Sequence, residues 1–154
     1  MTDPVQIHDL RALPAHADTV ADRGWREWWR ASGTPLATYR ARVEDSLSAG
    51  DFPFTLVAHR GGAFVGMASL IRSDMEARPD LTPWVAAVFV EPAERGKGLG
   101  GMLVKAVAGR AFGQGRTRLF LCAEPRNAPF YARMGWRTVE ANVNGLDVLA
   151  LNRR

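Results

Sequence analysis

With 154 residues, 47% of them hydrophobic, the chain is long enough for one substantial core and short for two, so a single domain spanning 1–154 is expected. No apolar run approaches the roughly 18 residues of a membrane span, and Met1-Thr2-Asp3-Pro4-Val5-Gln6 has neither the basic nor the apolar region of a signal peptide, so a cytoplasmic protein is expected. The single cysteine excludes an internal disulfide and a cysteine metal cluster, and a formal charge of +4 admits nucleic acid, an anionic membrane or an anionic cofactor as partner.

Val5 to Asp9 alternates and reads as an edge strand, with Pro4 where a missing donor is harmless and His8 as a strand side chain. From Ala15 to Ala31 the apolar residues Val20, Ala21, Trp25, Trp28 and Trp29 fall at helical spacing, with Gly24 the weak point. The tryptophans read as core; their functional alternative is an aromatic wall of a substrate pocket. Gly33 ends that segment. Thr34 as cap and Pro35 at the first position then open a second helix carrying Leu36, Tyr39, Val43 and Leu47, which Gly50 closes. Phe54 to Arg60 and Ala63 to Arg72 are strands joined by Gly61-Gly62, a pair able to take the positive φ angles of a tight hairpin. Ser73 to Pro83 carries Asp74, Glu76 and Asp80, and is either a solvated connection or an acidic rim that draws a cationic amine.

Trp84 to Val90 is an apolar run suited to a strand buried on both faces, and Pro92 stops it. From Leu99, apolar residues at Met102, Leu103, Ala106, Val107 and Ala111 define one helix face. The glycines Gly96, Gly98, Gly100 and Gly101 therefore sit where a helix begins. There the first amides have no intrahelical partner and the macrodipole adds positive charge, so the turn reads as a cradle for phosphate. Arg95 and Lys97 add full charges, the first of six basic residues from Arg95 to Arg118 with no acidic one among them. Gly96, Gly98 and Gly101 also fit the dinucleotide fingerprint, with Glu124 downstream as its acid. That rival places its first glycine directly after the strand, whereas Glu91 to Arg95 intervene here, and too little chain follows for a second half.

Gly113 and Gly115 end the helix, and Arg118 to Ala123 reads as a further buried strand, parallel to Trp84–Val90 because a helix joins them. Cys122 inside it reads as a small core residue. Glu124 to Trp136 follows as a loop, a short helix and a glycine stop at Gly135. Trp136 to Val143 and Leu146 to Asn152 form a last hairpin around Asn144-Gly145.

The run Val88 to Gly101 resembles the acetyl-CoA motif of the GNAT superfamily of N-acetyltransferases, Arg/Gln-x-x-Gly-x-Gly/Ala after a strand, through Arg95, Gly98 and Gly100. Asn127, Phe130, Tyr131, Gly135 and Trp136 resemble a second segment of that superfamily, in the expected order. The resemblance implies an α+β fold: a mixed, mostly antiparallel sheet of six to seven strands with a parallel splayed pair, flanked by about four helices. It implies acetyl-CoA as cofactor, with the diphosphate on the amides of Arg95, Gly96, Lys97, Gly98, Leu99, Gly100 and Gly101. The pantetheine arm would lie along Val88, Phe89 and Val90, with Asn127 beside it. Tyr131 would be the acid that protonates the departing thiolate.

The reaction would then transfer an acetyl group to a primary amine on a small molecule or peptide, and that amine must first lose a proton. Glu76 is the first candidate for the base, ahead of Asp74, Asp80 and Glu91. No metal, nucleic acid or membrane partner is expected, and a homodimer is admitted because dimers are common in that superfamily. The reading from another functional class is a catalytically silent coenzyme A-binding sensor or scaffold; a nicotinamide oxidoreductase and a nucleic-acid binder are more distant.

Overall fold

The computed structural model describes residues 3–48 and 50–154. Seven strands form one sheet in the order β1-β2-β3-β4-β5-β7-β6. They are β1 (Val5–Asp9), β2 (Phe54–Arg60), β3 (Ala63–Ile71), β4 (Trp84–Val90), β5 (Arg118–Ala123), β6 (Arg137–Val143) and β7 (Leu146–Asn152). Neighbours are antiparallel except β4 and β5, the pair joined by a helix. The two expected hairpins form for the reason their residues supply: Gly61 and Gly62 take φ of 57° and 84°, and Asn144 and Gly145 take 53° and 86°.

Four α-helices accompany the sheet: α1 (Ala17–Gly24), α2 (Leu36–Asp45), α3 (Leu99–Gly113) and α4 (Ala128–Ala132). Helix α3 lays Leu99, Leu103, Val104, Val107 and Ala111 on one sheet face, against Leu56, Val65, Leu70, Val85, Leu119 and Leu121. Each fully buried side chain there contributes about 1.5–3 kcal/mol. The other face is covered in two separate patches. Helices α1 and α2, with Leu10 of the 3-10 turn after β1, cover Val57, Met67 and Phe89 using Val20 and Val43, while Met75 of the β3–β4 connection joins Trp84, Phe120 and Val148 at the parallel pair. Arg78 anchors that connection through a two-pronged ion pair with Glu140 on β6. Among the described residues no helix is long and apolar enough to cross a membrane.

Four expectations are corrected. The segment from Ala15 to Ala31 is not one helix: a 3-10 turn precedes α1, and after Gly24 the chain widens into a π-turn over Trp25–Trp29. That extra residue per turn rotates the tryptophans off the buried face, so none is core and Trp28 is 42% exposed. Helix α2 begins at Leu36 with Pro35, still extended, as its cap, and ends before Leu47. Met102, assigned to the buried face of α3, is 45% exposed.

Two glycines separate packing from propensity. A Cβ at Gly66 would stand 2.8 Å from the Phe89 carbonyl oxygen and 3.1 Å from Leu103, under α3, whereas one at Gly109 would meet nothing within 4 Å. Gly66→Ala therefore lowers stability by about 1–3 kcal/mol, and Gly109→Ala raises it by about 1 kcal/mol, both read from urea denaturation midpoints.

Candidate active site

The parallel strands meet at one register pair, Trp84 with Phe120. Beyond it they share no further register pair, while β5 continues on β7 and β4 on β3 along their other edges. The β3–β4 ladder steps two residues from Ser69 to Met67 but three from Ala86 to Phe89, so β4 carries one extra residue. Ala87 at φ 55° is that bulge. Its effect on direction shows in the packing: Val85, Val88 and Val90 face α3, while Ala87 and Phe89 face α1 and α2. The main chain of Val88, Phe89 and Val90 thus borders a cleft between two strands of one sheet. The Val90 carbonyl accepts a 2.9 Å bond from Arg95 Nε across the turn that follows.

At the head of that cleft α3 begins. Arg95 donates its amide to Pro92 at 3.3 Å, and the first helical bond runs from Met102 N to Gly98 O at 3.1 Å. The amides of Leu99, Gly100 and Gly101 therefore precede the ladder, with no side-chain cap and no acidic residue in the first turn. Gly96 and Gly98 take φ of 80° and 81°, and a Cβ at either would meet nothing within 4 Å. Backbone conformation, then, is what requires glycine there. Arg95 lies over the Phe89 ring at 5.7 Å, so its guanidinium is fixed beside the turn. Lys97 is partly offset, since Glu94 pairs with it at 3.4 Å and with Arg60 at 3.1 Å. The Arg60 hydrogen bond, ahead of Lys97, holds the Glu94 carboxyl below its ordinary range. An unsatisfied, positively biased helix start of this kind fits a diphosphate.

The far side of the cleft gathers groups from four elements. Cys122 on β5 donates its thiol to Asp74 of the β3–β4 connection at 3.3 Å. The Asp74 residue keeps contact with solvent, but protein crowds its carboxyl, and burial raises its pKa against the lowering effect of the Cys122 bond. Burial, then Asp74, pushes the Cys122 thiol up to about 12, so the thiol stays protonated and poorly nucleophilic. Tyr131 on α4 lies half-buried, edge-on to Phe130 at 5.0 Å and to Trp136 at 6.4 Å. Burial and the nearby Cys122 raise its hydroxyl too. Tyr39 on α2 completes the group: burial pushes it up to about 12, with Arg42 opposing and Asp74 reinforcing.

The sequence candidates divide accordingly. Val88 to Val90 border the divergence and Arg95 to Gly101 lead into the start of α3, while Asp74 and Tyr131 are both near Cys122 of β5. Asn127 caps α4 with an exposed side chain, its amide bonded to Glu124 O at 2.8 Å. Glu76 and Asp80 are exposed on the connection, and Glu91 is engaged by Arg23 at 2.5 Å. Tyr39 and the partnership of Cys122 with Asp74 were missed; no local pattern signals either. Two shallow cavities of about 290 Å³ each lie elsewhere, one along β6 and β7 and one beside β1 and the β2–β3 turn.

Comparison with known proteins agrees with this geometry. The sequence matches the model of the acetyltransferase (GNAT) family over residues 21–136. Comparison with curated proteins gives no match. Among solved structures, an acetyltransferase from Streptococcus agalactiae is 18% identical with a TM-score of 0.70, covering 97% of this chain and 98% of that one. A GNAT-family acetyltransferase from Streptococcus pneumoniae is 14% identical with a TM-score of 0.73, covering 97% and 100%. An aminoglycoside 6'-N-acetyltransferase solved with coenzyme A is 16% identical with a TM-score of 0.73, covering 96% of each. At these identities the likeness is one of fold.

The chain has two tyrosines, and both are raised. At pH near 10, where a free tyrosine is about half ionised, the folded protein shows less phenolate absorbance than two free tyrosines would. Because the folded state keeps protons that the unfolded chain releases, stability falls as pH rises past that point. An absorbance titration with an ordinary midpoint for either tyrosine contradicts the burial described.

Proposed function

The chain belongs to the acetyltransferase (GNAT) family, and we propose that it acts as an acetyl-CoA-dependent N-acetyltransferase on a primary amine. The observation that carries this reading is the uncapped start of α3 at the head of the divergence between β4 and β5. Its cofactor is acetyl-CoA, which supplies an acetyl thioester that a neutral amine attacks to give an amide and a free thiol. The amides of Gly96 to Gly101 hold the diphosphate, with Arg95 and Lys97 adding charge. Main-chain groups of Val88, Phe89 and Val90 pair with the extended arm and orient the carbonyl. Asn127 borders the same arm.

Two protons must move. An ammonium has no lone pair, so a carboxylate takes its proton. We assign this to Asp74 in preference to Glu76. Its bond from Cys122 fixes Asp74 beside β5, and burial of its carboxyl raises its pKa, which favours proton uptake. Asp74 and Glu76 are both exposed on the β3–β4 connection, and Asp74 is the one bonded to β5. The second proton leaves Tyr131 Oη for the departing sulfur. A raised phenol pKa keeps that proton in place until the sulfur needs it.

A screen of amines against acetyl-CoA, read as thiol release, tests the reading. Tyr131→Phe lowers kcat by about 10²-fold or more while leaving coenzyme A affinity within about twofold, since the one cofactor contact assigned to its hydroxyl is with the sulfur; unchanged turnover removes its role. Gly98→Val forces a β-branched residue to φ near 81°. It weakens coenzyme A binding by about tenfold or more in calorimetry, and an unchanged affinity contradicts the diphosphate assignment.

A further inference from the structure

The acceptor side of the cleft holds a carboxylate and a guanidinium that do not neutralise each other. Asp74 is placed against β5 by the 3.3 Å bond from Cys122, near the end where Tyr131 stands. On the outer side, Arg42 of α2 lies over the Trp29 ring at 4.6 Å, and that ring lies 6.2 Å from Tyr39. Tyr39 is itself locked, because a Cβ on Gly24 would fall 2.2 Å from its hydroxyl oxygen. Tyr39 feels both charges, Arg42 lowering its pKa and Asp74 raising it. Yet among the described residues no ion pair joins Arg42 to Asp74 or to any other acid. Its helix neighbour Arg40 is different, being spent on Asp18 and Glu44.

A guanidinium held over an indole can still offer N–H donors to a carboxylate. Tyr39 is within the influence of both charges, with Trp29 beside it under Arg42 and Cys122 bonded to Asp74. We propose that the acceptor is an amino-carboxylate, its ammonium received at Asp74 and its carboxylate at Arg42, with Trp29 and Tyr39 as the wall between them. The proposal rests on the transferase reading and narrows it. Two solved structures that share the fold are aminoglycoside acetyltransferases, and aminoglycosides carry several ammonium groups; Arg42 opposes such a polycation here. The amino-carboxylate has two sources, a free amino acid or a peptide with an acidic residue near its amino terminus.

The test compares matched amines on the acetyl-CoA-loaded protein. Free amino acids, their carboxamides, short peptides with Asp or Ala next to the N-terminus, a linear polyamine and an aminoglycoside are each followed by thiol release and by calorimetric binding to the coenzyme A complex. The carboxylate forms are expected to exceed their carboxamides at least tenfold in kcat/KM, and the amino acid and peptide arms show which source is used. Arg42→Gln raises KM for the carboxylate form about tenfold, toward that of the carboxamide, and leaves coenzyme A binding unchanged. Arg40→Gln leaves the carboxylate-to-carboxamide ratio as it was. Preference for the polycations, or a ratio indifferent to Arg42→Gln, overturns the proposal, as does the absence of any amino-carboxylate binding. Loss of coenzyme A binding with amino-carboxylate binding intact instead sinks the transferase reading and leaves the charge pair standing.

Discussion

Helix α3 starts with backbone donors that the chain itself does not satisfy. Ordinary helices of this length recruit a serine, threonine or aspartate to that end, since omitting one costs about 1 kcal/mol. Here Gly98 is the cap and offers no side chain. The arrangement is stable because the rest of α3 is driven into the sheet by Leu103, Val104 and Val107, all fully buried. Packing holds the helix in register, and the open end is left available to an anion. Without that surplus of burial, an uncapped glycine-rich start would fray.

The same division of labour appears in the sheet. Parallel strands usually share a continuous ladder, but β4 and β5 pair only at Trp84 and Phe120; β3 and β7 hold their other edges, so the sheet stays together while the facing edges separate. The bulge at Ala87 turns β4 away and brings its main chain to the cleft. On one face the α3 core runs unbroken beneath the divergence; on the other, two apolar clusters stop short of one another. Tyr39, Asp74 and Cys122 fall along that seam. Polar groups can be kept there because no single core has to absorb them, and each titrates away from its usual value for the same reason, partial removal from water.

Much of this was legible in the residues because it is encoded locally. Gly61-Gly62 and Asn144-Gly145 carry their turn geometry with them, and the helix between Val90 and Arg118 dictates a parallel pair. The start of α3 was readable for the same reason, since four glycines before a helical pattern have one conformational meaning. The tryptophans were misread because spacing alone does not distinguish an α-turn from a π-turn, and one extra residue rotates Trp28 into solvent. Asp74 was ranked behind Glu76 because its position depends on the fold-back of 72–83, which Met75 and the Arg78–Glu140 pair impose from elements far along the chain. Tyr39 likewise reaches the seam through its contact with Gly24. A pattern within one segment carries no trace of such contacts.

The account depends most on the claim that main-chain donors at the start of α3 grip the diphosphate of coenzyme A. Amide resonances of the labelled protein, followed while coenzyme A is added, test it directly. The account predicts that the amides of Gly96, Lys97, Gly98, Leu99, Gly100 and Gly101 move most, as they become hydrogen-bonded to phosphate. Saturable binding that leaves those six amides still while shifting others elsewhere on the sheet would contradict it.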